Sequence, residues 1–158
     1  MSDPTAPHPA PTPEALAAAL RGAGLRVTRP RTAVLTAVAG HPHAVTEEIL
    51  DSVHAQAPDV SRQAVYDVLH ALTDAGLVRK IQPAGHVARY EARIGDNHHH
   101  LVCRECGDVQ DVDCSVGHAP CLTPLTDRGY QIDEAEVVYW GVCPRCAAAA
   151  SPPAPDRP

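Results

Sequence analysis

Six cysteines and ten histidines are the residues of this 158-residue chain best suited to bind metal. Four of the cysteines form two Cys-x-x-Cys pairs, Cys103/Cys106 and Cys143/Cys146. Each pair places two thiolates at a tight turn, and two pairs supply the four sulfurs of a tetrahedral zinc site. The doubled motif therefore predicts structural zinc rather than disulfides. Because 36 residues separate Cys106 from Cys143, we expect a hairpin and a helix between the pairs.

Three consecutive histidines lie just before the first cysteine pair, in "GDNHHHLVCREC". On a strand, alternate side chains share a face. His98 and His100 are therefore expected on one face, and His99 on the other, in phase with Cys103. Two imidazoles on one face are half of a metal site, so we expect this pair to bind a metal separate from the zinc.

The missing partners of the histidine pair must come from elsewhere in the chain. The candidates are Glu91, Asp111 and His43. Imidazoles combined with carboxylates suit Fe(II), Mn(II), Ni(II) or Zn(II) better than a thiolate-seeking ion. The remaining cysteines, Cys114 and Cys121, are interpreted as free thiols, with a redox pair or further metal ligation as alternatives. The sequence assigns no role to His99 or His118.

The N-terminal half has the pattern of a winged helix. Apolar stripes at helical spacing predict helices over about 14–22, after Thr28 with Pro30 in the first turn, after Thr46 and after Ser61. The segments "LVRKIQ" and "ARYEAR" then alternate like the two strands of a hairpin. This order predicts a winged helix-turn-helix, with the helix after Ser61 as the recognition helix.

The C-terminal half is predicted to be a small α/β domain that holds the zinc, so the fold class is α+β. "HHHLVC" and "VQDVDC" alternate as strands, "SVGHAPCLTPLTDRG" allows a short helix, and "YQIDEAEVVYWGVC" is strand-like. The predicted organisation is a disordered arm (1–13), a winged helix (14–93), a hinge (94–97), a dimerisation and metal-binding domain (98–147) and a disordered tail (148–158).

Charge restricts any nucleic-acid surface to the N-terminal half. The net charge is −6, and residues 94–158 carry four basic and ten acidic side chains, whereas Arg21 to Arg31 contains four arginines and no acid. We expect Arg62 and Tyr66 to read base edges and Ser61 to contact phosphate. The remaining basic residues expected at phosphates are Arg21, Arg26, Arg29, Arg31 and Lys80.

The chain is expected to act in the cytoplasm. No apolar run approaches the ~18 residues of a membrane-spanning helix. The N-terminal stretch, with its five prolines before Glu14, lacks the basic start and apolar centre of a secretory signal.

Four stretches resemble the ferric uptake regulator family: "LRVTRPRTAVL", "SRQAVYDVLHALTDAGLV", "RYEARIGDNHHHLVCRECG" and "YWGVCPRC". They span roughly residues 14–147 in the order found in that family. The resemblance implies a homodimeric, metal-dependent repressor, not an enzyme, that binds a palindromic double-stranded DNA operator. It implies structural Zn(II) at the four paired cysteines and regulatory Fe(II) or Mn(II) at His43, Glu91, His98, His100 and Asp111.

Within the family, the chain is similar to the peroxide-responsive branch, and most to the actinobacterial FurA/CatR type. Asp111 stands where peroxide sensors carry Asp, and Ala135 stands where many iron-uptake repressors carry an accessory histidine. The resemblance then implies control of catalase or oxidative-stress genes, with His43 and His98 as the oxidation-sensitive residues. Glu91, where the best-described peroxide repressors carry Asp, leaves open a metal-uptake regulator.

Three other readings remain alternatives at this point. A thiol-based redox regulator would use Cys114 and Cys121. A metalloenzyme would use a histidine–carboxylate cluster to activate water, but no substrate pocket or general base is evident in the sequence. A zinc-ribbon interaction module would not require the additional ligands.

Overall fold

The chain forms two compact units, Met1–Asp96 and Asn97–Pro158. The computed structural model describes residues 11–83, 86–92, 94, 98–113, 126–132 and 136–150. The first unit is mostly helical and the second is built on a sheet. The predicted α+β class is confirmed.

Four helices build the core of the first unit: α1 (Pro13–Gly22), α2 (Arg29–Gly40), α3 (Thr46–Gln56) and α4 (Arg62–Asp74). Their apolar stripes meet in one hydrophobic core. The helix α4 begins where the Ser61 hydroxyl accepts the amide hydrogen of Ala64 (3.2 Å). It ends before Gly76, which adopts a φ of 66° that favours glycine. The fully buried members of the core include Leu20, Val34, Val38, Ile49, Leu50, Val53, Val65, Leu69 and Leu72.

A three-stranded antiparallel sheet completes the first unit, with β1 (Ala44–Val45), β2 (Arg79–Ile81) and β3 (Arg89–Glu91) in the order β1-β3-β2. The pairing of β2 with β3 confirms the predicted hairpin. Strand β1 was not predicted. It pairs Ala44 with Tyr90 and connects the end of α2 to α3.

The second unit is a sheet in the order β5-β4-β6, followed by a short helix. Strands β4 (His98–Cys103) and β5 (Val109–Asp113) are antiparallel, whereas β6 (Val138–Gly141) lies parallel to β4. The helix α5 (Pro144–Ala150) extends into the tail that was predicted to be disordered from residue 148. Alanine favours helix strongly, which explains why the run Ala147–Ala150 continues it.

Several predicted segments lie outside the described residues. They include most of the hinge (94–97) and residues 114–125, where a short helix was expected and where Cys114, His118 and Cys121 occur. In the part of the chain that the structure describes, no helix is both long and apolar enough to cross a membrane.

Candidate metal centres and nucleic-acid interface

The four paired cysteines of the second unit converge on one point. Their sulfur atoms all lie within 4.8 Å of one another. The Cys106 and Cys143 sulfurs are 3.8 Å apart, and a tetrahedral ion with Zn–S bonds of about 2.3 Å separates its sulfurs by about 3.8 Å. The cluster therefore fits the zinc site that the doubled motif predicted.

Two different local structures deliver these sulfurs. Cys103 ends β4, and the turn after it closes with a hydrogen bond from the Gly107 amide to the Cys103 carbonyl (3.0 Å). Gly107 has a φ of 72°, which glycine adopts without strain. Cys143 and Cys146 flank the start of α5, and pairing of β6 with β4 brings that helix to the first cysteine turn.

The protonation of the cluster favours a bound cation. Backbone amides of Cys106 and Cys143 donate to the Cys103 sulfur, and they lower the pKa of this thiol to about 6. Hydrogen bonds with the Cys143 and Cys106 sulfurs raise the pKa of Cys146 to about 12. The Cys103 and Cys146 thiols thus lose their protons at very different pH values, and a second thiolate adds negative charge beside the first. A divalent cation removes that penalty and holds all four as thiolates.

In the first unit, His43 and Glu91 form a buried pair. The His43 Nε2 atom lies 3.2 Å from the Glu91 Oε2 atom, and Glu91 is 0% exposed. The Arg79 guanidinium lies 3.9 Å from the other carboxylate oxygen of Glu91. An imidazole and a carboxylate that both bind one ion at about 2.1 Å are about 3.0 Å apart, so this pair fits two adjacent ligands.

His43 is held by its backbone as well as by its ring. It has a φ of 62°, a left-handed conformation that costs a residue other than glycine about 1 kcal/mol. The Arg89 guanidinium donates a hydrogen bond of 2.8 Å to the His43 carbonyl oxygen. Because Arg89 lies in β3 two residues before Glu91, the same strand fixes both members of the pair.

In the second unit, His98 and His100 share one face of β4, as the alternation predicted. Their ring centroids are 5.1 Å apart, with the rings nearly perpendicular. Antiparallel pairing places Asp111 opposite His100. The Asp111 Oδ1 atom lies 3.7 Å from His98 Nε2 and 3.6 Å from His100 Nε2. The Asp111 carboxylate thus lies near both imidazoles, and this combination of donors suits Fe(II), Mn(II) or Zn(II).

Two further residues at β4, Glu136 and His99, have contacts that the sequence did not predict. Glu136 was not predicted: its Oε1 atom lies 3.4 Å from the His100 Nδ1 atom, on the side of the ring away from Asp111. This contact is within ion-pair distance but does not have the geometry of a hydrogen bond. A carboxylate that hydrogen-bonds to the second ring nitrogen orients a metal-binding imidazole. His99 is buried on the opposite face of β4, where its ring packs edge-to-face against Tyr139 at 5.9 Å.

The predicted DNA-contacting residues belong to the first unit, and some have partners there. Arg62 forms an ion pair with Glu47 of α3 (2.7 Å), which lowers the pKa of Glu47. Arg29 pairs with Asp59 (2.8 Å), and Arg31 donates to the Arg26 carbonyl (3.0 Å). The two ion pairs are solvent-exposed, and exposed pairs contribute little, so a phosphate can replace the carboxylate.

The other predicted contacts differ in exposure. Tyr66 is half-buried on α4, whereas Arg21, Arg26 and Lys80 are exposed. Ser61 is exposed and uses its hydroxyl to cap α4.

A winged helix combined with a sheet domain that carries a four-cysteine cluster defines a metal-binding, DNA-binding regulator. The model of the ferric uptake regulator family matches residues 22–139. The transcriptional regulator FurA of Mycobacterium tuberculosis is 70% identical over 128 residues, which cover 81% of this chain and 87% of that protein. The chain therefore belongs to the ferric uptake regulator family. It is a metal-dependent transcriptional regulator, similar to FurA, and not an enzyme.

Two further relatives place this likeness in context. The peroxide-responsive repressor PerR of Staphylococcus epidermidis is 27% identical over 135 residues, covering 82% of this chain and 86% of the relative. The structure of the ferric uptake regulator from Pseudomonas aeruginosa with manganese matches at a TM-score of 0.66 and 27% identity, covering 82% of this chain and 98% of that one.

Proposed function

We propose that this protein is an Fe(II)-dependent repressor that senses peroxide and controls catalase or other oxidative-stress genes. The observation that carries the proposal is that the chain has two buried sets of nitrogen and oxygen ligands in addition to a separate thiolate cluster. The cysteines account for a structural zinc, so the histidine sets are available for a second, exchangeable ion.

Five residues are proposed as ligands of the regulatory ion. His43 and Glu91 belong to the unit that carries α4, whereas His98, His100 and Asp111 belong to the other unit. When all five ligands bind one cation, the cation holds the two units of the chain in a single arrangement. In a homodimer that arrangement sets the distance between two copies of α4, which must match the half-site spacing of a palindromic operator. The ion then promotes DNA binding because it binds the DNA-competent arrangement more tightly.

Peroxide sensing depends on the identity of the ion. Fe(II) held by the five ligands would activate peroxide beside the imidazoles, so that one peroxide oxygen is transferred to an imidazole carbon and the other leaves as water. We propose His43 and His98 as the residues that gain oxygen. An oxidised imidazole is a weaker ligand, so the two units are released from each other and the DNA dissociates. Asp111 and the similarity to FurA support this branch of the family.

One observation favours a second function within the same family. Glu91 occupies the position at which the best-described peroxide repressors carry Asp, and identity to PerR is only 27%. The alternative is a regulator of metal uptake that responds to the concentration of the ion. In that case the same five ligands are used, but no histidine is oxidised.

Mass spectrometry of the oxidised protein separates these two functions. The full-length protein is loaded with Zn(II) and Fe(II), treated with stoichiometric peroxide under anaerobic conditions and digested. We expect a gain of one oxygen in the peptide containing His43 or in the peptide containing His98 and His100. Protein loaded with Mn(II) is the control and is expected to resist oxidation. Absence of oxygen from both peptides rules out peroxide sensing by histidine oxidation.

Gel shifts test the more general proposal of metal-dependent repression. A promoter fragment from an oxidative-stress gene is expected to bind with Fe(II) or Mn(II) and to dissociate after addition of a chelator. Binding that is equally tight with and without the chelator contradicts the proposed role of the ion.

A further inference from the structure

The recognition helix carries a polar pair that the predicted DNA contacts did not include. The Gln63 side-chain nitrogen donates a hydrogen bond of 2.8 Å to the Asp67 Oδ1 atom, one helical turn along α4. Both side chains are exposed. They lie in the first two turns of α4, the part of a recognition helix that reads base edges in the major groove.

Asp67 determines which way the Gln63 amide points. A carboxylate only accepts hydrogen bonds, so the amide nitrogen of Gln63 must face it, and the amide oxygen must face away. The nitrogen keeps one further N–H. The exposed edge of Gln63 therefore presents one donor beside one acceptor, in a fixed order.

That edge is complementary to one base. Adenine presents an acceptor, N7, beside a donor, the N6 amino group, in the major groove, whereas guanine presents two acceptors. Glutamine pairs with adenine through both of its polar atoms. The Asp67 carboxylate further disfavours guanine and phosphate at this point because they also present negative or accepting atoms.

The contact with Asp67 orders the Gln63 side chain before DNA binds, and ordering before binding lowers the entropy lost on contact with DNA. The neighbouring Arg62 differs, because its ion pair with Glu47 of α3 (2.7 Å) is solvent-exposed and a phosphate can replace the carboxylate.

We infer that Gln63 reads an adenine in each operator half-site and that Asp67 is its positioning residue. This inference rests on the proposed DNA-binding function. An exposed Gln–Asp pair four residues apart also stabilises a helix without any contact to DNA. The test must therefore measure base preference and not affinity alone.

Selection from a random library provides that measurement. Full-length protein loaded with Zn(II) and Mn(II) selects from duplexes with a randomised segment of about 30 base pairs, roughly three helical turns. The variants are Gln63→Ala, Asp67→Ala and Asp67→Asn. Gln56→Ala is the matched control, because Gln56 is an exposed glutamine of the same unit that donates to a backbone carbonyl of its own helix, α3. Alanine favours helix, so these substitutions keep the fold.

We expect the wild-type protein to select a palindrome and to prefer adenine at one position of each half-site by about 5- to 150-fold. Gln63→Ala and Asp67→Ala are expected to lose that preference at that position only, whereas Gln56→Ala keeps it. Asp67→Asn retains an acceptor for the Gln63 amide, so it should keep most of the preference. Both Asp67 variants remove the same negative charge, so a general rise in affinity should be common to them.

Three results overturn the inference. Gln63→Ala can select the same motif with undiminished discrimination. The alanine and asparagine variants of Asp67 can behave alike, which indicates that the carboxylate acts only through its charge. Asp67→Asn can change the preference for cytosine at an operator position that Gln63→Ala leaves unchanged, which indicates that Asp67 contacts a base directly. Failure of the wild-type protein to select any motif contradicts the proposed function itself, a different outcome from these three.

Discussion

The cysteine cluster and the histidine–carboxylate sets differ in how the chain distributes their ligands. The four cysteines of the cluster lie in one unit, in two motifs that each contribute two sulfurs. The proposed regulatory ligands are divided, with His43 and Glu91 in the first unit and the other three in the second. A metal site within one unit stabilises that unit, whereas a set of ligands divided between units can couple their arrangement to the reversible binding of an ion. Ligand type agrees, because four thiolates retain zinc and mixed nitrogen–oxygen donors exchange first-row ions more readily.

The largest effect is expected from breaking the thiolate cluster. Cys106→Ser should reduce bound zinc from about one ion per chain to nearly none and abolish cooperative unfolding of the second unit, because a zinc-dependent fold draws its stability from the bound ion. Elemental analysis and thermal unfolding measure both effects. Cys114→Ser is the control and should retain the zinc. A Cys106→Ser protein that keeps its zinc and its unfolding temperature would show that the cluster is not a structural site.

A smaller but selective effect is expected on the other set. His100→Ala should weaken Mn(II) binding by about 100-fold or more, because loss of a ligand exceeds the roughly 10- to 100-fold effect of losing an outer partner. Zinc content should not change. His99→Ala is the matched control, since His99 lies on the opposite face of β4 and packs on Tyr139. Calorimetric Mn(II) titration decides the point, and equal losses in both variants would refute the assignment of faces.

In the first unit, Arg89→Ala tests whether the backbone conformation of His43 contributes to Mn(II) binding. Without the hydrogen bond to the His43 carbonyl, the left-handed conformation loses a restraint, and Mn(II) affinity should fall by about 10-fold. Lys80→Ala, on the neighbouring strand β2, also removes a positive charge and should leave Mn(II) affinity unchanged. An unaltered affinity in Arg89→Ala would mean that His43 keeps its geometry unaided.

The smallest expected effect comes from Glu136→Gln in the second unit. Glutamine retains the size of Glu136 but not its charge, so the orientation of His100 should be only partly lost, with Mn(II) affinity weaker by less than about 10-fold. Asp127→Asn makes the same change of charge on an exposed loop and serves as the control. The spectrum of Co(II)-loaded protein gives a second readout, because a reoriented imidazole changes the d–d bands. An identical spectrum and affinity would exclude a positioning role for Glu136.

The features that the sequence predicted well are those encoded within a few residues. The apolar spacing predicted the helices, and Ser61 predicted the start of α4. The two-residue period of a strand predicted that His98 and His100 lie on one face and His99 on the other. The helix α5 was not predicted, although the alanine run after Cys146 carried a signal for it. The missed strand β1 has only two residues, and it exists because Tyr90 and Arg89 pair with them.

By itself, the sequence determined the kind of ligands, their local spacing and the order of the elements, because each depends on neighbours within a turn or a strand. The tertiary structure decided which distant residues meet. Parallel pairing of β6 with β4 brings Cys143 to Cys103 and Glu136 to His100, and pairing of β1 with β3 brings His43 to Glu91. No local pattern records these contacts, because they arise only when each unit folds and sets the register of its own strands.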